Sequence, residues 1–112
     1  MAKRKIREAI NYLSNLLKDN GIDVDRIILF GSHAKGNYRA DSDIDLVVIS
    51  KDFTRKDIFE RADMLGDIEW RLIKKYLFPF DIITMSPEEF EKGISLVSHF
   101  AKNGKIVYAK QT

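Results

Sequence analysis

The sequence contains no cysteine. A disulfide framework and a metal site built on thiolates are therefore excluded, and the absence is what we expect of a protein in a reducing cytoplasm. The chain also lacks an apolar run long enough to cross a bilayer. Its basic N-terminus leads into an amphipathic segment rather than an apolar one, so we find no secretory signal. We expect a cytoplasmic protein with no membrane partner.

Charge of either sign is nearly balanced, with a formal net charge of +2 at pH 7. This excess is too small to indicate nucleic-acid binding by itself. A local cluster at Lys3, Arg4, Lys5 and Arg7 is interpreted as a solvated first helical turn, with contact to a partner or nucleic acid as the alternative. The sequence contains no repeat, linker or low-complexity segment, so we expect one domain over residues 1–112.

Hydrophobic periodicity and turn residues predict an α/β (α+β) fold in the order α-β-α-β-α-β-α-β, a sheet covered by helices. The predicted helices span residues 4–20, 32–35 (a short helix or turn), 54–77 and 86–102, and the predicted strands 24–30, 43–50, 79–85 and 105–109. The mostly apolar second strand is expected to be central. The buried stripe predicted for the third helix is Ile58, Ala62, Leu65, Ile68, Leu72 and Tyr76.

Two acids open the second predicted strand, at Asp43 and Asp45. Side chains alternate along a strand, so both acids point to one face while Ile44 points into the core. Carboxylates about 7 Å apart on one face repel each other unless a cation lies between them. A hard divalent ion resolves this repulsion, and magnesium is the usual choice where phosphates are present.

A third acid, Asp81, lies in the apolar strand between Phe80 and Ile82, which share the opposite face. Burying such an acid unpaired is expensive, so a plain structural role is hard to defend. If its strand pairs with the strand of Asp43 and Asp45, three carboxylates come within reach of two magnesium ions. Two such ions about 4 Å apart can clamp an in-line phosphoryl displacement.

A Gly-Ser pair stands where the first strand turns into a helix, and ten residues separate it from Asp43. Gly31 lets backbone N–H groups approach a phosphate closely, and the helix end favours negative charge. The Ser32 hydroxyl can bond a phosphate oxygen, and Lys35 would add positive charge nearby. These residues are candidate ligands of a nucleoside triphosphate.

Each feature also has an ordinary explanation. A Gly-Ser pair after a strand is most often a turn and cap, and an Asp-x-Asp pair alone is more often two solvated acids near a loop. The turn, the paired acids and the third acid occur together, each in its expected structural place. Their joint occurrence favours a nucleotide and metal site.

Gly31-Ser32, the ten-residue gap and Asp43-Ile44-Asp45 resemble the motif of the DNA polymerase β-like nucleotidyltransferase superfamily. The short length and the Phe80-Asp81-Ile82 strand are similar to its minimal nucleotidyltransferase (MNT) branch, the antitoxins of HEPN/MNT toxin–antitoxin pairs. The resemblance covers nearly the whole chain. It implies a mixed-sheet palm in which Asp43 and Asp45 bind magnesium, Asp81 assists the attacking hydroxyl, and Gly31 and Ser32 hold the nucleotide phosphates.

The resemblance also implies a function. We expect transfer of AMP from ATP to a tyrosine of a HEPN-domain toxin, with this protein as the antitoxin. One alternative is an antitoxin that neutralises its HEPN partner only by binding it, with the site idle. Another is a small-molecule or RNA-end nucleotidyltransferase completed by a partner subunit. A homo-oligomer or hetero-oligomer is compatible with each of these functions.

Other residues carry weaker signals. The family often has arginine where this chain has His33 and Lys35; lysine keeps the charge, whereas His33 is interpreted as a polar cap residue rather than a ligand. His99 is interpreted as structural, and Trp70 as a packing or interface residue. Tyr38 and Arg39 are interpreted as part of a solvated loop, with nucleotide or partner contact as the alternative.

Overall fold

The computed structural model describes residues 3–36, 42–93 and 96–111, without the side chains of four residues: Ser32, Leu96, Val97 and Phe100. Among the described residues, the α-helices are α1 Lys3–Asp19, α2 Gly31–Lys35, α3 Ile58–Leu65, α4 Ile68–Tyr76, α5 Pro87–Lys92 and α6 Leu96–Lys102. The strands are β1 Val24–Phe30, β2 Ile44–Ser50, β3 Phe80–Met85 and β4 Lys105–Ala109, and a 3-10 helix covers Lys51–Phe53.

The sheet has four strands in the order β3-β2-β1-β4. β1 pairs antiparallel with β2 and β4, whereas β2 and β3 are parallel. The predicted mixed sheet and the central position of the second strand are confirmed. Six of the seven residues of β2, all except Asp45, are buried, which suits an interior strand covered on both faces.

Two apolar layers cover the two faces of the sheet. On one face, Ile44 and Leu46 pack with the stripe of α1, whose buried residues include Ile6 and Ile10. On the other, β2 packs Val47 and Ile49 against Phe90 of α5 and Ala101 of α6; this second group also includes Ile28, Phe30 and Met85. The alternation of β2 thus assigns each of its side chains to one layer, and Asp45 shares the face of α5 and α6.

The single helix predicted over residues 54–77 is wrong, because the structure has two helices there. Gly66 closes α3 with φ +58°, a left-handed value that glycine adopts without a Cβ clash. The break also breaks the predicted stripe. α4 buries Ile68 and Leu72, but α3 has no buried residue, and the side chain of Ile58 is 74% exposed.

The helix predicted over residues 86–102 is also divided. Its start is confirmed, since Ser86 and Glu89 form a capping box with Pro87 in the first turn. The first part, α5, ends at Gly93 in a left-handed cap, and α6 resumes at Leu96 and ends as predicted at Lys102. No helix among the described residues has the length and hydrophobicity that a membrane span requires.

Candidate active site

The paired acids lie at the start of β2. Ile44, the first residue of the strand, is fully buried, Asp43 directly before it is exposed, and Asp45 directly after it is partly buried. The backbone N–H of Ile44 donates to the carbonyl oxygen of Pro79 at 3.0 Å, which ties this end of β2 to the start of β3. The prediction that Ile44 is buried between two more accessible acids is therefore confirmed.

The third acid lies beside the second. β2 and β3 are parallel in a register that pairs Asp45 with Asp81, so the two residues occupy neighbouring positions on adjacent strands, about 4.8 Å apart. Paired residues of parallel strands project from the same face of the sheet. Asp81 is exposed rather than buried, so the cost of burial that the sequence argument assumed does not apply, and its carboxylate is accessible to a substrate. The sequence predicted this meeting only on the condition that the strands pair, and they do.

The glycine turn contacts the same acid. Gly31 has φ +74°, and a Cβ built on it would overlap the Asp45 carboxylate. Only glycine therefore leaves room for the carboxylate against the turn. α2, which starts at Gly31, has five residues, so its dipole is small. Phosphate binding at this turn would therefore depend on local backbone N–H groups.

The electrostatics of the cluster favour a cation. Partial burial and the neighbouring charges of Asp81 and Asp43 raise the pKa of Asp45, against a smaller opposing effect of His33. An acid whose charged form is destabilised by two other acids is stabilised by a bound cation. The donors are all carboxylate oxygens, the chemistry that magnesium prefers. No three potential ligands are already gathered in metal-binding geometry in the described part of the chain.

His33, interpreted from the sequence as a polar cap residue, is a buried side chain bonded to a distant segment of backbone. Its side chain is only 6% exposed, and its Nε2 lies 3.0 Å from the carbonyl oxygen of Ser42, the residue before Asp43. The ring also meets Phe78 edge-on, with centroids 6.0 Å apart. Its burial and its long-range partners could not be read from the motif.

Comparison with known proteins identifies the family. Residues 6–108 match the family described as nucleotidyltransferase domain. This chain is a nucleotidyltransferase. It is 30% identical over 109 residues to MJ0604, a predicted protein adenylyltransferase of Methanocaldococcus jannaschii, covering 95% of this chain and 97% of that protein. MJ0141 of the same organism, named likewise, is 32% identical over 80% of this chain and 79% of its own length.

Solved structures show the same fold at lower identity. A toxin–antitoxin structure with AMP-PNP matches the nucleotidyltransferase with a TM-score of 0.64 and 22% identity, over 90% of this chain and 73% of the other. A complex of the tri-AMPylated HEPN toxin of Shewanella oneidensis with its MNT antitoxin matches with a TM-score of 0.56 and 22% identity, over 96% of this chain and 73% of the other. The predicted MNT-like fold is confirmed.

A cavity lies on the opposite face of the sheet from Asp45. It has a volume of about 400 Å³ and is lined by apolar residues such as Ile6 and Leu29 of the α1 layer. Four basic side chains surround it, and none of them forms an ion pair among the described residues: Lys3, Arg7, Lys35 and Lys105. Lys35 thus lines the cavity on the α1 side, while Asp45 belongs to the other face. The basic N-terminal cluster is divided, since Lys5 instead pairs with Glu8 at 3.7 Å.

The remaining sequence candidates are dispersed. Trp70 is 63% exposed, so it is not a core residue, and an interface role stays a prediction. His99 is exposed on α6. Tyr38 and Arg39 lie outside the described residues, and the predicted contact of the Ser32 hydroxyl rests on a side chain that is not described.

Proposed function

We propose that this nucleotidyltransferase transfers AMP from ATP, with two magnesium ions, to a tyrosine hydroxyl of a HEPN-domain toxin, and that it is the antitoxin of that toxin. One observation carries the proposal: the Asp45 carboxylate lies between the Gly31 turn and Asp81. This arrangement supports the proposal because it would bring the phosphate site, the metal site and the candidate base next to one another. The names of the relatives as protein adenylyltransferases support a protein acceptor, and the HEPN complexes among the structural neighbours support the choice of partner.

Each residue has a defined role in this reaction. Asp43 and Asp45 would hold the magnesium, which when bound polarises the phosphoryl oxygens and lowers the repulsion among the acids. Backbone N–H groups at Gly31 and Ser32 would bind the outer phosphates of ATP. Phosphoryl transfer needs little covalent chemistry from the protein, so positioning and charge provide most of the catalysis.

Asp81 would act on the acceptor. Its exposed carboxylate accepts the proton of the tyrosine hydroxyl as the oxygen attacks the α-phosphorus of ATP. The new oxygen–phosphorus bond forms on one side of the α-phosphorus, while the bond to the bridging oxygen of the β-phosphate breaks on the other. Pyrophosphate leaves, and AMP stays on the tyrosine.

A second candidate function is neutralisation of the toxin by binding alone. Its specific support is α3, which buries no residue and exposes two large apolar side chains, Ile58 at 74% and Phe59 at 75%. Large exposed apolar side chains on one helix are typical of a protein interface. Binding through α3 and catalysis at Asp45 are compatible, so the test must separate them.

The test is a labelling assay. The purified protein is incubated with magnesium and α-labelled ATP in host-cell lysate, beside the Asp43→Asn/Asp45→Asn double variant. Asp19→Asn, an exposed change at the end of α1, is the matched control for loss of an acidic charge. We expect a labelled protein band with the wild type and the control but not with the double variant, and mass spectrometry then locates AMP on a tyrosine.

Other outcomes contradict the proposal in different ways. Label in RNA or a small molecule would indicate a different acceptor. No label, with a HEPN partner bound equally by the wild type and the double variant, would favour neutralisation by binding. Equal labelling by the wild type and the double variant would mean that Asp43 and Asp45 are not the metal ligands.

A further inference from the structure

The His33 side chain connects the Gly31 turn to the residue that precedes the paired acids. It projects from α2, two residues after Gly31, and its Nε2 contacts the Ser42 carbonyl oxygen at 3.0 Å. A carbonyl oxygen only accepts hydrogen bonds, so Nε2 carries a proton and donates it. The next residue after Ser42 is Asp43. The hydrogen bond thus links the helix that follows the Gly31 turn to the residue before the first acid.

The same ring contacts the segment that leads into β3, the strand of the third acid. His33 meets the edge of Phe78 at an interplanar angle of 81°, and Phe78 lies three residues before Asp81. Between them, Pro79 accepts the hydrogen bond from the N–H of Ile44. One buried imidazole therefore touches the segments that lead into both acid-bearing strands.

We propose that His33 is a positioning residue that sets Asp43 relative to the Gly31 turn, an inference that rests on the proposed function. A nearly buried side chain already bonded to the backbone is poorly placed to bind a phosphate from solvent. It is well placed to fix the backbone at Ser42, because a buried hydrogen bond is directional and its loss leaves a carbonyl oxygen unsatisfied. Without this bond, the carboxylate of Asp43 loses its fixed distance from the turn.

Three substitutions separate the hydrogen bond from the bulk of the ring. In His33→Gln, the side-chain amide nitrogen reaches about as far as Nε2 and can donate to the Ser42 carbonyl. His33→Asn keeps an amide but is too short, and His33→Leu keeps volume without a donor. Circular dichroism and thermal unfolding establish that each variant is folded before it is compared.

The first readout needs no nucleotide or metal. Amide hydrogen exchange at Ile44 reports whether the start of β2 is held in place. We expect about tenfold faster exchange in His33→Asn and His33→Leu, the effect of losing one buried hydrogen bond, and near wild-type exchange in His33→Gln. Unchanged exchange in His33→Asn and His33→Leu would overturn the proposed tether. Fast exchange in all three variants would assign the effect to the ring and overturn the role of the bond.

The second readout is binding of a fluorescent methylanthraniloyl derivative of ATP, with magnesium and with EDTA. We expect His33→Asn to weaken binding about tenfold with magnesium and little with EDTA, because Asp43 acts through the metal. Equal binding by His33→Asn and wild type would refute the positioning role. Failure of the wild type to bind nucleotide would refute the proposed function instead, and amide exchange would still decide whether His33 holds the strand.

Discussion

Replacing Asp45 with asparagine should make the protein more stable and inactive. Asp45 and Asp81 occupy paired positions on neighbouring strands about 4.8 Å apart, and Asp43 adds a third negative charge. Two unit charges about 5 Å apart repel by about 0.8 kcal/mol in water and by about 3 kcal/mol at an effective dielectric constant of 20. Asp81 is exposed and Asp45 is partly buried, so solvent screening places the value near the lower limit.

We therefore expect Asp45→Asn to raise the free energy of unfolding by about 1 kcal/mol, which corresponds to about 4 °C in Tm for a domain of this size. Differential scanning calorimetry in EDTA measures the shift, with Asp63→Asn as a control that should change Tm little. Magnesium should raise the Tm of the wild type and not that of the variant, because ligand binding stabilises only a protein that binds it. A lower Tm for Asp45→Asn in EDTA, or an equal response of both proteins to magnesium, would refute the reasoning.

The same reasoning fixes the sign of the pH dependence. The pKa of Asp45 is raised above its ordinary value of 3.8. Between pH 3.8 and the raised pKa, the folded protein therefore binds more protons than the unfolded protein. The destabilisation of the Asp45 carboxylate by burial and by the charges of Asp81 and Asp43 is fully present above the folded-state pKa and disappears as the pH falls toward 3.8. The stability advantage of Asp45→Asn should accordingly shrink as the pH is lowered, and an advantage that grows toward low pH would contradict this account.

Three further substitutions test other parts of the structure. Gly31→Ala should abolish nucleotide binding and cost more stability than Gly36→Ala, because both glycines have a left-handed φ but only at Gly31 would a Cβ meet a carboxylate. Unfolding in urea and binding of the fluorescent ATP derivative measure both effects. Arg61→Met should lower the free energy of unfolding by about 2 kcal/mol. The guanidinium is nearly buried and donates to the Glu89 carboxylate at 2.6 Å and to the Phe53 carbonyl oxygen at 2.9 Å. Ile58→Ser should change the free energy of unfolding by less than about 0.5 kcal/mol, whereas Leu72→Ala should cost about 2–5 kcal/mol. Similar values for the two variants would mean that Ile58 is buried like Leu72, as the single predicted helix required.

Sequence reasoning was reliable for properties that depend on the residues of a single strand. The alternation at Ile44 placed the two acids on one face, and the apolar run after them indicated an interior strand. Both are local properties of a pleated chain, and the structure confirms the burial of Ile44 and the interior position of β2. The pairing of Asp45 with Asp81 was different, because register between two strands far apart in sequence is set by the whole sheet. Sequence reasoning could state it only as a condition.

The errors have a common physical cause. The apolar period of the third predicted helix continues through Gly66, so periodicity could not reveal that one left-handed glycine ends α3. The role of His33 depends on Ser42 and Phe78, which approach it only when α2, β2 and β3 are assembled. A histidine next to a phosphate motif gives no sign of burial. The signal in the sequence was only that the family resemblance leads one to expect an arginine where this chain has His33.

The acids at this end of the sheet are poorly explained by folding alone. Partial burial and the charges of Asp81 and Asp43 raise the pKa of Asp45, and the turn beside them needs a glycine so that the carboxylate can lie against it. Neither feature stabilises the chain, while the layers on both faces of the sheet follow ordinary packing. Local conflict within an otherwise consistent fold is expected where function, rather than stability, determines the residues. The position of the conflict at Asp45 is thus independent support for the site, because it follows from energetics and not from the motif.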